Sequence, residues 1–556
     1  MKRIWSFFIV FATVMSLCAQ PKHELRAVWL TTIGGLDFPS TYAHDGMGIS
    51  RQQQELCQML DRLQAINVNT VLFHTRIRAT TSYPSDIEPW AACYSGQPGA
   101  WPGYDVLQFA IDECHRRGME LHAWVVTIPI GKWNETGCQQ LRRHHPSMLR
   151  RIGEEGFMNP EQPQTADYLA NICGEITRRY DIDGIHLDYI RYPEQWPLAK
   201  SSQERAVRRR HITRIVERIH DEVKRLKPWV KLSCSPVGKY DDLSRYSAKG
   251  WTAYTRVSQE AQNWLRDGLM DQLYPMMYFA GNQFFPFAID WAEHAEGRSV
   301  AAGLGIYQLH PKERNWQLGE VKRQLNVSRS LGMGHCYFRA KFLLDNVKGI
   351  YDYMRHFDNH PALIPPMTWA SSIPPTPPAT IDVKRSTQGD HVSWSGARDN
   401  SNGPYLLYNI YASTGEPVDV SKAENLIATR YRQHHITLRR TADKPLLHYA
   451  VTALDRYGNE SAPIRSHEVK HEGQPYRTAL LTNDGRTLAL PPVSRLLDAQ
   501  RLVVSDLQGR AVQSNPYRQN VDISTLPEGM YLLTAVNRRG HSHRLGHFII
   551  RRKTTH

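Results

Sequence analysis

From residue 24 to about residue 357, short apolar runs alternate with stretches whose apolar positions recur three and four residues apart. The short runs are Leu25–Thr31, Thr70–Thr75, Glu120–Thr127, Gly184–Asp188, Lys231–Pro236, Gln272–Tyr278, Val300–Ile306 and Gly334–Phe338. Several are apolar almost throughout, as strands covered on both faces must be. Between them, Gln52–Ala65, Val106–Arg117, Thr165–Tyr180 and Glu320–Leu331 carry the helical spacing. Eight such units in about 330 residues predict an α/β fold, a (β/α)8 barrel of the TIM type over 22–359, rather than a doubly wound sheet. The active site of such a barrel is expected at the C-terminal ends of its strands.

After Asn359 the pattern changes. Residues 360–379 (HPALIPPMTWASSIPPTPPA) are proline-rich and predict a stiff, extended linker. Period-two alternation with turn signals then predicts two small all-β domains of immunoglobulin-like sandwich type, 380–472 and 475–556. In the first, HVSWSG around Trp394, LLYNIYAS around Tyr408 and LHYAVTALDRYGNES around Tyr449 resemble strands of a fibronectin type III module. In the second, RLVVSDLQGRAV, STLPEGMYLL and HFIIRR resemble the C-terminal sorting domain of the type IX secretion system, which implies export and surface attachment. At the other end, Lys2 and Arg3 precede the apolar run Ile4–Leu17, too short to span a bilayer, so residues 1–20 are expected to be a signal peptide. The expected location is extracytoplasmic: periplasm, cell surface or medium. Seven of the eight cysteines lie beyond that segment, an odd number with neither a disulfide framework nor zinc-ligand spacing.

A hydrophobic content of 41% is enough for real cores, and a mean hydropathy of −0.50 argues against an integral membrane protein. The net charge is +14, and twelve Lys/Arg against five Asp/Glu between Tyr476 and His556 supply half of it. In an exported protein this suits an acidic glycan or lipopolysaccharide rather than nucleic acid. The basic run from Arg205 to Arg225 reads instead as the solvated face of a helix that buries Ile212, Ile215, Val216 and Ile219. No HExxH, phosphate loop or nucleotide fingerprint occurs, so neither metal nor cofactor is expected.

The segment that carries chemistry is YDIDGIHLDYIRYP, residues 180–193. Asp188 ends a strand at the rim, and strand alternation puts His186 on the same face. With LRAVWLTTIGG, VNTVLFHTRIRATTSYPSDIEPW, HAWVVT, LSCSPVG, DGLMDQLYPMMYF and GLGIY, in that order, it resembles the family ten glycosyl-hydrolase-like proteins across nearly the whole barrel. The resemblance implies hydrolysis of glycosidic bonds and, for one branch, action on peptidoglycan strands stripped of their peptides. Many relatives end this strand in two adjacent acids; here the second position is Tyr189, so Asp188 alone carries over. The DGxDxDxE signature of family eighteen chitinases is also echoed, but His186 and Ile190 stand where acids would be.

Most glycosidases use two carboxylates. The candidate partners of Asp188 are Glu194, Asp241 and Asp242, with Asp86 and Glu88 further along the rim. His74, Arg76, Trp124, His186, Arg191, Tyr278 and Tyr307 are expected to line a cleft for an acidic amino-sugar glycan, the arginines answering its carboxylates. Two rival readings are a non-catalytic glycan-binding barrel that has lost its second acid, and a hydrolase of dietary or host polysaccharide.

Overall fold

The computed structural model describes residues 20–551 except 387–388, 440–444, 467–480, 491–498, 508–509, 519 and 538–541; the expected signal peptide, Gln20 apart, lies outside the described residues. The chain divides into two units, Met1–Val469 and Lys470–His556.

The first unit opens with β1 (Arg26–Leu30), β2 (Thr70–Ile77), β3 (Glu120–Val126), β4 (Gly184–Asp188), β5 (Lys231–Cys234), β6 (Gln272–Leu273), β7 (Ser299–Leu304) and β8 (Gly334–Tyr337). Each pairs in parallel with its sequence neighbours, and β8 returns to β1 with Arg26 beside His335, closing an eight-stranded barrel. Strand alternation sorts the side chains. Val28 and Leu30 join the core beneath the helices, while Ala27 and Trp29 join Leu72, Trp124 and Tyr274 inside the barrel. The ladder of β6 lasts two residues because Pro275 has no N–H to donate; Met276 then bridges Val237 and Gly303. At Gly303 an added Cβ would lie 2.6 Å from Pro275 O and 2.9 Å from the Trp29 ring.

Helices cover the barrel after every strand, among them α1 (Gly46–Gln64), α2 (Val106–Arg116), α3 (Pro163–Arg179), α4 (Ser202–Leu226), α5 (Ala261–Arg266), α6 (Phe285–Glu293), α7 (Leu318–Ser330) and α8 (Ile350–Phe357). Carboxylate and hydroxyl caps start three of them: Asp45 accepts from Gly48 N, Asp105 from Gln108 N and Ser201 from Glu204 N. The basic run of α4 lies on its outer face, with Ile212, Ile215, Val216 and Ile219 buried.

The proline-rich stretch is packed rather than free at its start. Leu363, Ile364 and Met367 are buried, Glu24 N donates to Leu363 O, and Trp369 Nε1 donates to Asp271 at the base of β6. Seven strands follow: β9 (Thr380–Arg385), β10 (Gly389–Ser395), β11 (Leu407–Ser413), β12 (Leu426–Tyr431), β13 (His435–Arg439), β14 (His448–Leu454) and β15 (Ile464–Arg465). They form two antiparallel sheets, β9-β10-β13 and β12-β11-β14-β15, around Val392, Trp394, Tyr408, Ile410 and Val451. The Tyr449 hydroxyl donates to Asp390 Oδ2 at 2.8 Å.

This β-module is locked to the N-terminal end of the barrel by Arg430, 8% exposed, whose guanidinium donates to Glu120 at 2.9 Å and Asp183 at 2.5 Å. Burial works against the Asp183 charge, but Arg430, His115 and Arg456 overcome it and hold the carboxyl well below its usual range. Burial likewise opposes the charge of Glu120, which Lys231, Arg430 and His122 bring down to about 2.

In the second unit, β16 (Thr487–Ala489) pairs with β19 (Asn520–Asp522), and β17 (Ala499–Ser505), β18 (Ala511–Pro516), β20 (Gly529–Asn537) and β21 (Ser542–Ile550) form a sheet in the order β18-β17-β20-β21. Leu502, Val504, Leu533 and Phe548 fill its core. All seven described cysteines are free thiols.

Candidate active site

Asp188 closes β4 at the C-terminal mouth, 7% exposed. Its Oδ1 accepts from Ser235 Oγ and Tyr189 N, both at 2.8 Å, and its Oδ2 from Trp124 Nε1 at 3.1 Å. Burial raises its pKa and outweighs the charge-stabilising contacts from Ser235, Arg191, the Tyr189 N–H and Trp124. A buried, fixed carboxyl that keeps its proton more readily than a free aspartate is suited to donate that proton. The next residue, Tyr189, has φ +52°, a left-handed backbone rare outside glycine and costly to hold. That turn brings Arg191 over the Tyr189 ring at 4.2 Å, and Arg191 Nη2 donates to Glu194 Oε1 at 2.7 Å. Glu194 is thus paired with Arg191, whose charge also acts on Asp188. Asp241 and Asp242 belong to the loop after β5: Thr255 Oγ1 donates to Asp241, while Ser247 Oγ and Ala248 N donate to Asp242.

His74 and Trp124 stack at 3.5 Å between ring centroids beside the acid. Burial lowers the His74 pKa to about 3, so its ring is neutral. Its Nδ1 accepts from Thr32 N, which assigns the proton to Nε2, a buried donor with no partner among the described residues. Tyr278 packs on Phe338 at 5.2 Å and on Tyr307 at 5.7 Å, forming an aromatic wall. Burial pushes the Tyr278 phenol well up, with the Asp188 charge adding to it.

Two expected sugar contacts are corrected. His186 is fully buried: Trp29 Nε1 donates to its Nε2 at 3.2 Å, and its Nδ1 donates to Ser233 Oγ at 3.0 Å. Both ring nitrogens are used inside the barrel, so His186 is a packing residue. Arg76, 0% exposed, is clamped by both carboxylate oxygens of Glu88 at 2.8 and 2.7 Å and donates to Thr127 O. That also removes Glu88 as a catalytic candidate, and Asp86 is exposed and paired with Arg179. The arginines meant for substrate carboxylates thus already hold protein carboxylates.

Ser235, Trp29 and Phe338 complete the site and were not anticipated. Ser233 and Ser235 could have been found by the alternation that singled out His186 and Asp188, since both strands point the same residues inward. Glu24, His335 and Asp358 offer a metal-like grouping at the opposite end of the barrel, but Arg26 and Arg329 already neutralise its carboxylates.

Residues 24–308, just over half of the chain, match the family described as glycosyl hydrolase-like 10. The chain is 29% identical over 486 residues to glycosyl hydrolase YngK of Bacillus subtilis (strain 168), covering 80% of this chain and 93% of that protein. It is 28% identical over 375 residues to glycosyl hydrolase DigH of Escherichia coli (strain K12), covering 58% and 84%. Among solved structures, the PgaB (BpsB) glycoside hydrolase domain from Bordetella bronchiseptica aligns with a TM-score of 0.43 at 12% identity, over 60% of this chain and 98% of that one. The chain belongs to the glycosyl hydrolase-like 10 family of glycoside hydrolases.

Proposed function

We propose that the protein is exported and cleaves glycosidic bonds in peptide-stripped peptidoglycan or a related amino-sugar glycan, with Asp188 as general acid and Glu194 as its partner carboxylate. The observation that carries the reading is Asp188 itself: an acid at the barrel mouth whose raised pKa suits protonation of a leaving glycosidic oxygen. The Tyr278, Tyr307 and Phe338 wall offers faces for pyranose rings, and neutral His74 Nε2–H a donor for a sugar oxygen. The apolar run Ile4–Leu17 and the sorting-like motifs of 475–556 support export. No described helix is long and apolar enough to cross a membrane. The β-module of 380–472 reads as a fibronectin type III-like spacer.

Incubation with purified peptide-free strands tests the activity: new reducing ends are expected, and more slowly from peptide-bearing sacculi. No cleavage of any amino-sugar glycan would contradict it. Tyr189, standing where many relatives carry a second acid, favours one rival: a barrel that binds strands without turnover. Strand binding with no reducing ends would establish that reading. Mass spectrometry of the protein from its native host reads export, with a mature terminus near Gln20 expected and an intact Met1 contradicting it.

A further inference from the structure

On the same rim as the acid, the loops after β1, β2 and β3 form an open pocket of about 560 Å³, within the range of sites for small ligands. Tyr42, Arg78, Glu135, Ile33, Ile77 and Asn134 contribute to it. Tyr42 is 55% exposed, an aromatic ring held in solvent against His44 at 5.6 Å. Among the described residues, Arg78 and Glu135 are the only charged ones lining the pocket; they face each other at 3.4 Å and both stay partly exposed. Gly34 and Gly35 form an open edge where an added Cβ would meet nothing within 4 Å.

The chain holds this shape at a cost. Arg78 and Ala79 both adopt left-handed φ, +54° and +53°, and Ala79 is buried while the Arg78 side chain is half in solvent. Gly137 permits the arrangement: an added Cβ would lie 2.3 Å from Arg78 O and 2.4 Å from Ala79 O. Strained residues of this kind concentrate at active sites and ligand clamps. A relay of contacts connects the pocket to the acid. Thr32, which lines it, donates to His74 Nδ1; His74 stacks on Trp124; Trp124 donates to Asp188.

We propose that this pocket is a distal sugar subsite, holding an uncharged pyranose unit of the same chain whose bond is cut beside Asp188. The Tyr42 ring offers a sugar face its partner, Arg78 donates to hydroxyl oxygens and Glu135 accepts from hydroxyls. The paired charges cancel, which sets the subsite against a uronate or other anionic unit. This inference rests on the hydrolase reading of the neighbouring site.

The test is a chain-length series with Tyr42→Ala, Arg78→Ala and the double variant, all at largely exposed positions. The substrates are chitin oligosaccharides, which are uncharged, and peptide-free peptidoglycan strands. For the longest oligomers KM should rise about tenfold in the double variant, while for the shortest it should move less than about twofold. Equal effects at every length, or none, would overturn the subsite while leaving cleavage intact. If the parent cuts none of these, the hydrolase reading falls and calorimetric binding of chitohexaose decides the subsite alone. Binding lost in the double variant supports it; unchanged binding, or no binding by the parent, overturns it.

Discussion

Asp188 holds its proton more readily than a free aspartate because the barrel mouth removes water faster than three donors replace it. Removing one donor should strengthen that bias. In Trp124→Phe, Oδ2 loses its indole N–H, the carboxylate form is less favoured, and the Asp188 pKa rises further. If Asp188 is the general acid, activity is present below this pKa and lost as pH rises through it. The basic limb of kcat/KM should therefore move to higher pH in Trp124→Phe; a limb that stays or moves down would contradict the assignment. The role of Arg76 was hidden in the sequence because face-sharing with His74 does not reveal a partner twelve residues on. The antiparallel return at Thr80–Thr81 folds Glu88 back onto it. Arg76→Met leaves Glu88 buried and uncompensated, and should cost about 3–5 kcal/mol in denaturant unfolding. A cost near zero would restore Arg76 to the list of sugar contacts.

At the scale of elements, all eight barrel strands and the four helices quoted were legible, because burial on both faces leaves continuous apolar runs and helices leave a 3.6 period. What the pattern did not show was the inner filling. Trp29, His186 and Ser233 lie on three different strands and Tyr274 just past a fourth, and they meet only when the barrel closes. The length of β6 was overread as Gln272–Tyr278, since Pro275 ends its regular ladder. Gly303 is required where β7 passes that proline. Gly303→Ala pushes a methyl against Pro275 O and the Trp29 ring, and should cost about 1–3 kcal/mol, read as a lowered Tm. An unchanged Tm would mean that the barrel wall yields more easily than the contacts imply.

For the whole first unit, the proline-rich break near residue 360 was legible as a change of pattern, but its packing was not. Arg430 lies on a strand whose outward residues look like ordinary surface, and only the docked module shows it to be the counter-charge of Glu120 and Asp183. Arg430→Met should cost about 3–5 kcal/mol, and a barrel truncated at residue 365 should lose the same support. Both acids have depressed pKa values, so their stabilisation is full above the ordinary carboxylate range and is lost as pH falls toward about 2. The variant should show a shallower loss of stability on acidification than the parent; an identical pH dependence would contradict the role of Arg430. The barrel and its base exist, in this account, to hold one acid at the mouth. Its most direct test is kcat/KM of folded Asp188→Asn on peptide-free glycan strands. A fall of at least about a hundredfold, with Tm nearly unchanged, is predicted; a folded variant with near-parental turnover would contradict the account.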